Sequence, residues 1–296
     1  MRILGVGDNV VDRYPQLGLM FPGGQALNVA VAARRAGAEA GYLGALGTDA
    51  AGRHVLAALR AEGVDVERLR IVPGANAYGV VKLDDGDRVF VGSSLGVSRF
   101  HLTIEDLAYA ATFDIAHSSE SSGLELDIPD LAKHVPVSFD FATNREPAYS
   151  RELLPYVTVA CFSASDLDDE ETEAFLRHVV EQGPKVALAT RGATDTILVE
   201  GHRVLRQPAL PARVVDTLGA GDAFTGRFLV GFINDEDRTA TLQEAAEAAA
   251  HTCESYGAFG YSTPNVPAGE EEARETRTST RVQTDQHATV VERSSR

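Results

Sequence analysis

The stretch Asp216-Thr217-Leu218-Gly219-Ala220-Gly221-Asp222-Ala223-Phe224 carries the strongest local signal for chemistry. It follows a β-like run, Arg213–Val215, and opens an apolar-periodic helix with Phe224, Phe228, Leu229 and Phe232. Glycines at a helix N-terminus leave backbone N–H groups exposed, and these attract anions. A carboxylate there, Asp222, can take a proton from a hydroxyl. The amides of Gly219, Ala220 and Gly221 would stabilise charge developing on a transferring phosphoryl group. Taken alone, Asp222 is also explained as a first-turn acid favoured by the helix dipole.

Three other loops carry polar groups beside apolar runs. In Phe21-Pro22-Gly23-Gly24-Gln25-Ala26-Leu27-Asn28, the glycines are either a tight turn or a place where a ligand meets the backbone. Asn28, a poor helix former in an Ala/Val helix, is suited to binding hydroxyls. Gly5-Val6-Gly7-Asp8-Asn9-Val10-Val11-Asp12 begins like a dinucleotide fingerprint, but the third glycine is missing and Asp12-Arg13-Tyr14-Pro15 does not open a helix. Asp8, Asn9 and Asp12 suit a sugar-like ligand at the carboxyl edge of a sheet, or form a polar strand-end turn. Thr190-Arg191-Gly192-Ala193 is either a phosphate cradle or a plain loop between strands.

Other chemistries are excluded. The three lysines, Lys82, Lys133 and Lys185, lie in no phosphate-loop motif, and there is no HRD, DFG or GxSxG. Cys161 and Cys253 form no CxxC pair, and the histidines have no metal spacing. Two isolated cysteines suit a reducing cytoplasm. With 27 Lys+Arg against 43 Asp+Glu, the net charge of −16 argues against nucleic acid and anionic membranes as partners. No apolar run reaches the roughly 18 residues of a membrane span.

The elements that must position these groups alternate. Strands are expected at Arg2–Val6, Ala40–Leu46, Phe113–Ala116, Val135–Phe141, Val157–Phe162, Val186–Thr190 and Thr196–Glu200. Helices are expected at Ala26–Ala36, Ala51–Glu62, Asp168–Glu181, Gly221–Phe232 and Leu242–Tyr256. This pattern predicts an α/β fold, a mostly parallel sheet with helices on both faces. Ala77–Leu83 and Arg88–Gly92 flank a DG-containing turn, a hairpin signal, and Val10–Phe21 with Pro15 is extended. Residues 10–21 and 77–98 are therefore expected to form a small β lid. From Ser262 to Arg296 there is no Leu, Ile, Phe, Met or Tyr, so residues 1–261 are expected to fold and 262–296 to be a disordered polar tail.

Gly23-Gly24 followed by Asn28, and the late DTLGAGDAF, together resemble the two signatures of the PfkB (ribokinase-like) sugar kinase family. The likeness covers Arg2 to about Tyr261. Within the family, Gly7-Asp8-Asn9, Asp12 with Tyr14-Pro15-Gln16-Leu17, Asn28-Val29-Ala30-Val31, Asp87-Arg88-Val89-Phe90 and Tyr256-Gly257-Ala258 are most similar to the bacterial fructoselysine 6-kinase type. The resemblance implies a ribokinase-like fold and transfer of phosphate from ATP, with Mg²⁺, to a primary hydroxyl of a small sugar. A fructosamine is the first expectation; a plain ketose, a ribose or a nucleoside are the alternatives. Outside the class stand a nicotinamide-dependent dehydrogenase and a non-catalytic sugar-binding relative.

The same resemblance makes Asp222 the base and Gly219, Ala220 and Gly221 the anion hole. It places Asp8, Asn9, Asp12, Gly23, Gly24, Asn28, Arg88 and Glu120 around the sugar, with Glu120 and Asp8 as readers of an amino-acid portion. Thr190, Gly192, Ala193 and Ser163 would lie against ATP, and Asp216 and Gly257 would belong to a K⁺ site. Where the family has NxxE, this chain reads Ser163-Ala164-Ser165-Asp166, so the shorter Asp166 would reach Mg²⁺ through a water. A homodimer through the lid is also expected.

Overall fold

The computed structural model describes residues 1–84 and 87–265, the side chains of 83–89 excepted. The tail expected from 262 onward therefore lies largely outside the described residues. Met1–Thr263 forms one compact unit.

The elements run β1 (Arg2–Val6), β2 (Val10–Tyr14), β3 (Leu19–Gly23), α1 (Gln25–Arg35), β4 (Glu39–Leu43), β5 (Ala45–Gly47), α2 (Ala50–Ala61), β6 (Arg70–Val72), β7 (Tyr78–Asp84), β8 (Asp87–Ser94) and α3 (Ile104–Ala110). They continue with β9 (Ile115–Ser119), α4 (Ile128–Leu131), β10 (Val137–Asp140), α5 (Pro147–Leu153), β11 (Val159–Ser163), α6 (Asp169–Val180), β12 (Val186–Thr190), β13 (Asp195–Glu200), β14 (Arg203–Pro208), α7 (Ala220–Ile233) and α8 (Arg238–Thr252). The main sheet has the order β14-β13-β12-β11-β10-β9-β1-β4. It is parallel from β12 to β4, while β13 runs antiparallel to both neighbours. This is the expected ribokinase-like α/β architecture.

Because successive strand residues face opposite ways, the central strands bury both faces. Ile3, Ile115 and Leu188 pack with Phe224 and Phe228 of α7 and Val29 of α1. Leu4, Ala116 and Phe139 pack on the other face with Leu176 of α6 and Leu131 of α4. Helix starts are fixed locally: Asp168 and Glu171 form a capping box on α6, and Asp49 accepts from Gly52 N to cap α2.

The lid sheet runs β3-β2-β7-β8, with β2 antiparallel to β3 and parallel to β7. The extended segment Val10–Phe21 is thus two strands, reversed at Pro15–Gly18, where Leu17 N donates to Tyr14 O and Gly18 N to Pro15 O. The β-like run Arg213–Val215 is not a strand; Val215 N and Asp216 N both donate to Cys253 O beyond α8. Ala40–Leu46 breaks at Gly44 into β4 and β5. Cys161 is buried in β11, and Cys253 is partly exposed.

Candidate active site

The start of α7, the start of α1 and the carboxyl ends of β1, β9 and β10 are tied together by side-chain hydrogen bonds. Asp222, in the first turn of α7, is 9% exposed, and its Oδ2 accepts from Asn28 Nδ2 at 2.8 Å. The N-cap of α7 is Gly219, with φ 77°; a Cβ there would lie 2.4 Å from the Ala258 Cβ. Only glycine permits that turn. Among the described residues, nothing beyond its own helix lies within 4 Å of a Cβ built on Gly221, so the helix start is open there. Ala220 N donates to Thr217 O at 3.3 Å within the turn. The first amides of the helix have no acceptor within it and complement an anion.

Asp216, just before this loop, receives Tyr14 Oη at 2.5 Å and Gly257 N at 3.1 Å on Oδ2, and Leu218 N at 3.0 Å on Oδ1. The carboxylate therefore joins lid strand β2 to the glycine loop. Asp216 and Gly257 are brought together, as expected, but by a direct hydrogen bond with both carboxylate oxygens engaged. With these bonds in place they do not frame a ready K⁺ site.

On the sugar side, Asp12 is 2% exposed and packs under Gly23, where a Cβ would lie 2.2 Å from Asp12 Oδ2. Gly24 has φ 115°, and a Cβ there would lie 2.5 Å from Asn9 Cα. The glycine pair thus lets α1 start directly against the loop after β1. Asp8 holds that start: its carboxylate accepts Gln25 N at 2.9 Å, Ala26 N at 3.1 Å, Ser119 Oγ at 3.2 Å and Ser122 Oγ at 3.0 Å. Asn9 is fully buried and gives Nδ2 to Ala45 O at 2.7 Å and Tyr42 Oη at 3.2 Å. The Asp8 carboxylate and the Asn9 amide nitrogen are therefore used inside the protein. Glu120 follows β9 and accepts from Asn144 Nδ2 at 3.3 Å. Arg88 lies on β8, and its side chain is outside the described residues.

On the opposite edge, Thr190 ends β12 in register with Ser163 of β11. Arg191 is 7% exposed and ion-paired to Asp169 at 2.7 Å and Asp195 at 3.3 Å, which anchors the turn carrying Gly192 and Ala193. Among the described residues, nothing but its chain neighbours lies within 4 Å of a Cβ built on Gly192, so this turn has room for a ligand. Arg145 donates Nη1 to Ser163 O at 2.8 Å and pairs through Nη2 with Asp166. Asp166 is thus committed to an arginine. Among the described residues, no three His, Cys, Asp or Glu side chains are placed to hold a metal. The described side chains alone therefore form no three-ligand cage for Mg²⁺.

Four residues here were not singled out in the sequence: Gln25, Asp140, Asn144 and Arg145. Asp140 was absorbed into a strand expected at Val135–Phe141; it ends β10 opposite Ser119. Its Oδ1 accepts Ala142 N at 2.7 Å and its Oδ2 accepts Gln25 Nε2 at 3.3 Å. Burial, with the charges of Asp8 and Glu120, pushes its carboxyl up to about 6. The available signal was position: an acid closing a buried strand at the sheet's carboxyl edge.

The chain is 46% identical over 269 residues to the fructosamine kinase FrlD of Bacillus subtilis (strain 168), covering 89% of this chain and 95% of that protein. It is 33% identical over 256 residues to the fructoselysine 6-kinase of Escherichia coli (strain K12), covering 86% of this chain and 98% of that protein. Its fold matches an Arabidopsis thaliana ribokinase solved with ribose and ATP at a TM-score of 0.75 and 22% identity, over 87% of this chain and 93% of that one. The pattern of the pfkB family carbohydrate kinases runs through residues 8–265, from the loop after β1 past the glycine loop of α7, and the chain belongs to that family.

Proposed function

We propose that the protein is an ATP-dependent kinase that phosphorylates the primary 6-hydroxyl of a fructosamine such as fructoselysine. The observation that carries the reaction is Asp222, held by Asn28 at the open start of α7. The choice of sugar follows the 46% and 33% likenesses to a fructosamine kinase and a fructoselysine kinase.

In this reading the acceptor oxygen bonds to the γ-phosphorus of ATP. The bond from that phosphorus to the bridging oxygen breaks, and ADP leaves with the electron pair. The hydroxyl proton passes to Asp222. The amides of Gly219, Ala220 and Gly221 meet the charge on the phosphoryl group, so positioning and electrostatics supply most of the acceleration. Asp12, Gly23, Gly24 and Asn28 flank the sugar, and Asn28 Oδ1, which has no partner among the described residues, can accept from a sugar hydroxyl. Ser163, Thr190, Gly192 and Ala193 lie against the nucleotide. Mg²⁺ would arrive on the ATP phosphates with its waters rather than in a cage of side chains. The enzyme would act in the cytoplasm, as a dimer through the lid. Its edge strand β8 presents Phe90 and Val91 at 55% and 57% exposure, which supports such a contact.

Asp222→Asn tests the reaction. It should leave ATP affinity within a few-fold and lower kcat by roughly 10²–10⁴, the span of a general base. A variant keeping more than a tenth of wild-type kcat, with chemistry rate-limiting, would remove Asp222 from that role.

A further inference from the structure

Two amide–carboxylate pairs stand one helical turn apart at the start of α1. Gln25 gives Nε2 to Asp140 Oδ2 at 3.3 Å, and Asn28 gives Nδ2 to Asp222 Oδ2 at 2.8 Å. In both, the amide oxygen is buried and has no donor among the described residues: Gln25 Oε1 and Asn28 Oδ1. Asn28 is 7% exposed. A buried, unmatched acceptor costs free energy until a donor arrives. Each pair therefore offers an incoming donor two acceptors, one amide oxygen and one carboxylate. The Asn28–Asp222 pair serves the reacting hydroxyl in the function proposed above. That leaves the Gln25–Asp140 pair without a role.

We propose that Gln25 and Asp140 form the subsite for the substrate's protonated amine, and so set the preference for an amino sugar over a plain ketose. The inference rests on the fructosamine reading and adds the residues that select for it. Position fits: residues i and i+3 on a helix are about 5–6 Å apart between Cβ atoms. That is the order of the separation between the terminal hydroxyl and the amine nitrogen of a six-carbon sugar. Hydrogen bonding fits too. A secondary ammonium has two N–H donors, and the pair presents two acceptors, one of them charged.

Charge points the same way. The neighbouring charges acting on Asp140 are Asp8 and Glu120, both negative. Asp8 is saturated by Gln25 N, Ala26 N, Ser119 and Ser122, so it contributes charge without being able to grasp the ligand. Asp140 retains the Oδ2 edge shared with Gln25. A cation placed there would relieve the repulsion among three carboxylates; a plain hydroxyl would not.

The test compares kcat/KM for fructoselysine and fructose in wild type, Asp140→Asn and Gln25→Met, with KM and kcat resolved separately. Asp140→Asn keeps an acceptor for Ala142 N and removes the charge. Its fructoselysine-to-fructose ratio should fall ten- to a hundredfold, mainly through KM for fructoselysine. Gln25→Met should lower the same ratio at least threefold, and it decides the matter if Asp140→Asn does not fold. An unchanged ratio, or equal losses on both sugars, overturns the subsite. If wild type prefers fructoselysine and both variants keep that preference, only the subsite fails. If wild type itself prefers fructose, ribose or a nucleoside, the functional reading fails and the subsite falls with it.

Discussion

Asp140 should cost the ligand-free protein stability. Burial, and the charges of Asp8 and Glu120, raise its carboxyl to about 6 from an ordinary 3.8. Between those values the folded protein keeps the proton that the unfolded chain has lost, so stability falls as pH rises through this window. Above about pH 6 the penalty is complete, of order 1–3 kcal/mol at 1.36 kcal/mol per unit. Asp140→Asn removes it. At pH 7.5 the variant should melt several degrees higher than wild type, and the two should converge near pH 4. Equal melting temperatures at pH 7.5, or a lower one for the variant, would show that the carboxylate is not penalised. A stability loss tolerated at one position is common where a site waits for its ligand. Asp222 and Asn28 were legible from sequence because Gly-Ala-Gly and Gly-Gly mark where helices begin. Asp140 was not, because an acid closing an apolar run looks like an ordinary strand end until its neighbours in the sheet are known. Asp8 illustrates the converse: its type and place suggest a ligand contact, yet its carboxylate fastens the start of α1.

Among the elements, long periodic segments were read well, since each carries its own apolar stripe. The short helices α3, α4 and α5 were missed, because 4 to 7 residues are too few for a period to emerge. Helices α4 and α5 begin with a proline in the first turn and have no side-chain cap, whereas α3 is capped. Helix α3 is the clearest case. Thr103 and Asp106 form its capping box, and the fully buried Asp106 also receives Arg68 Nη2 at 2.8 Å and Arg70. Arg70 belongs to β6, so this carboxylate fastens α3 to the strands before it. Removing one member of a buried pair leaves the others uncompensated. Asp106→Ala should destabilise by about 3 kcal/mol, lowering the melting temperature by roughly 6–12 °C for a chain of this size. A change under about 2 °C would mean that the arginines find water at no cost. The β-like run Arg213–Val215 forms no ladder for a related reason: its end is held by backbone bonds from Val215 N and Asp216 N to Cys253 O, a partner the local sequence does not reveal.

At the scale of the whole molecule, the parallel sheet gathers loops at its carboxyl edge, and lid strand β3, paired with β2, leads directly into α1. Tyr14 of β2 reaches Asp216 beside the glycine loop, so the lid and the phosphate end are one connected unit. The alternation of strands and helices made this architecture legible early. The segment carrying Asp85 and Gly86 and the chain beyond 265 lie outside the described residues. The arrangement predicts one enzyme with two demands on its acceptor: a primary hydroxyl at Asp222 and an amine one helical turn away. The most direct measurement is ADP release, coupled to a reporter, over a panel of fructosamines, plain ketoses, pentoses and nucleosides, with kcat/KM determined for each. The account predicts the highest kcat/KM for a fructosamine, at least tenfold above fructose, with the product phosphorylated on its primary hydroxyl. A plain ketose, a pentose or a nucleoside at the top of the panel would contradict it.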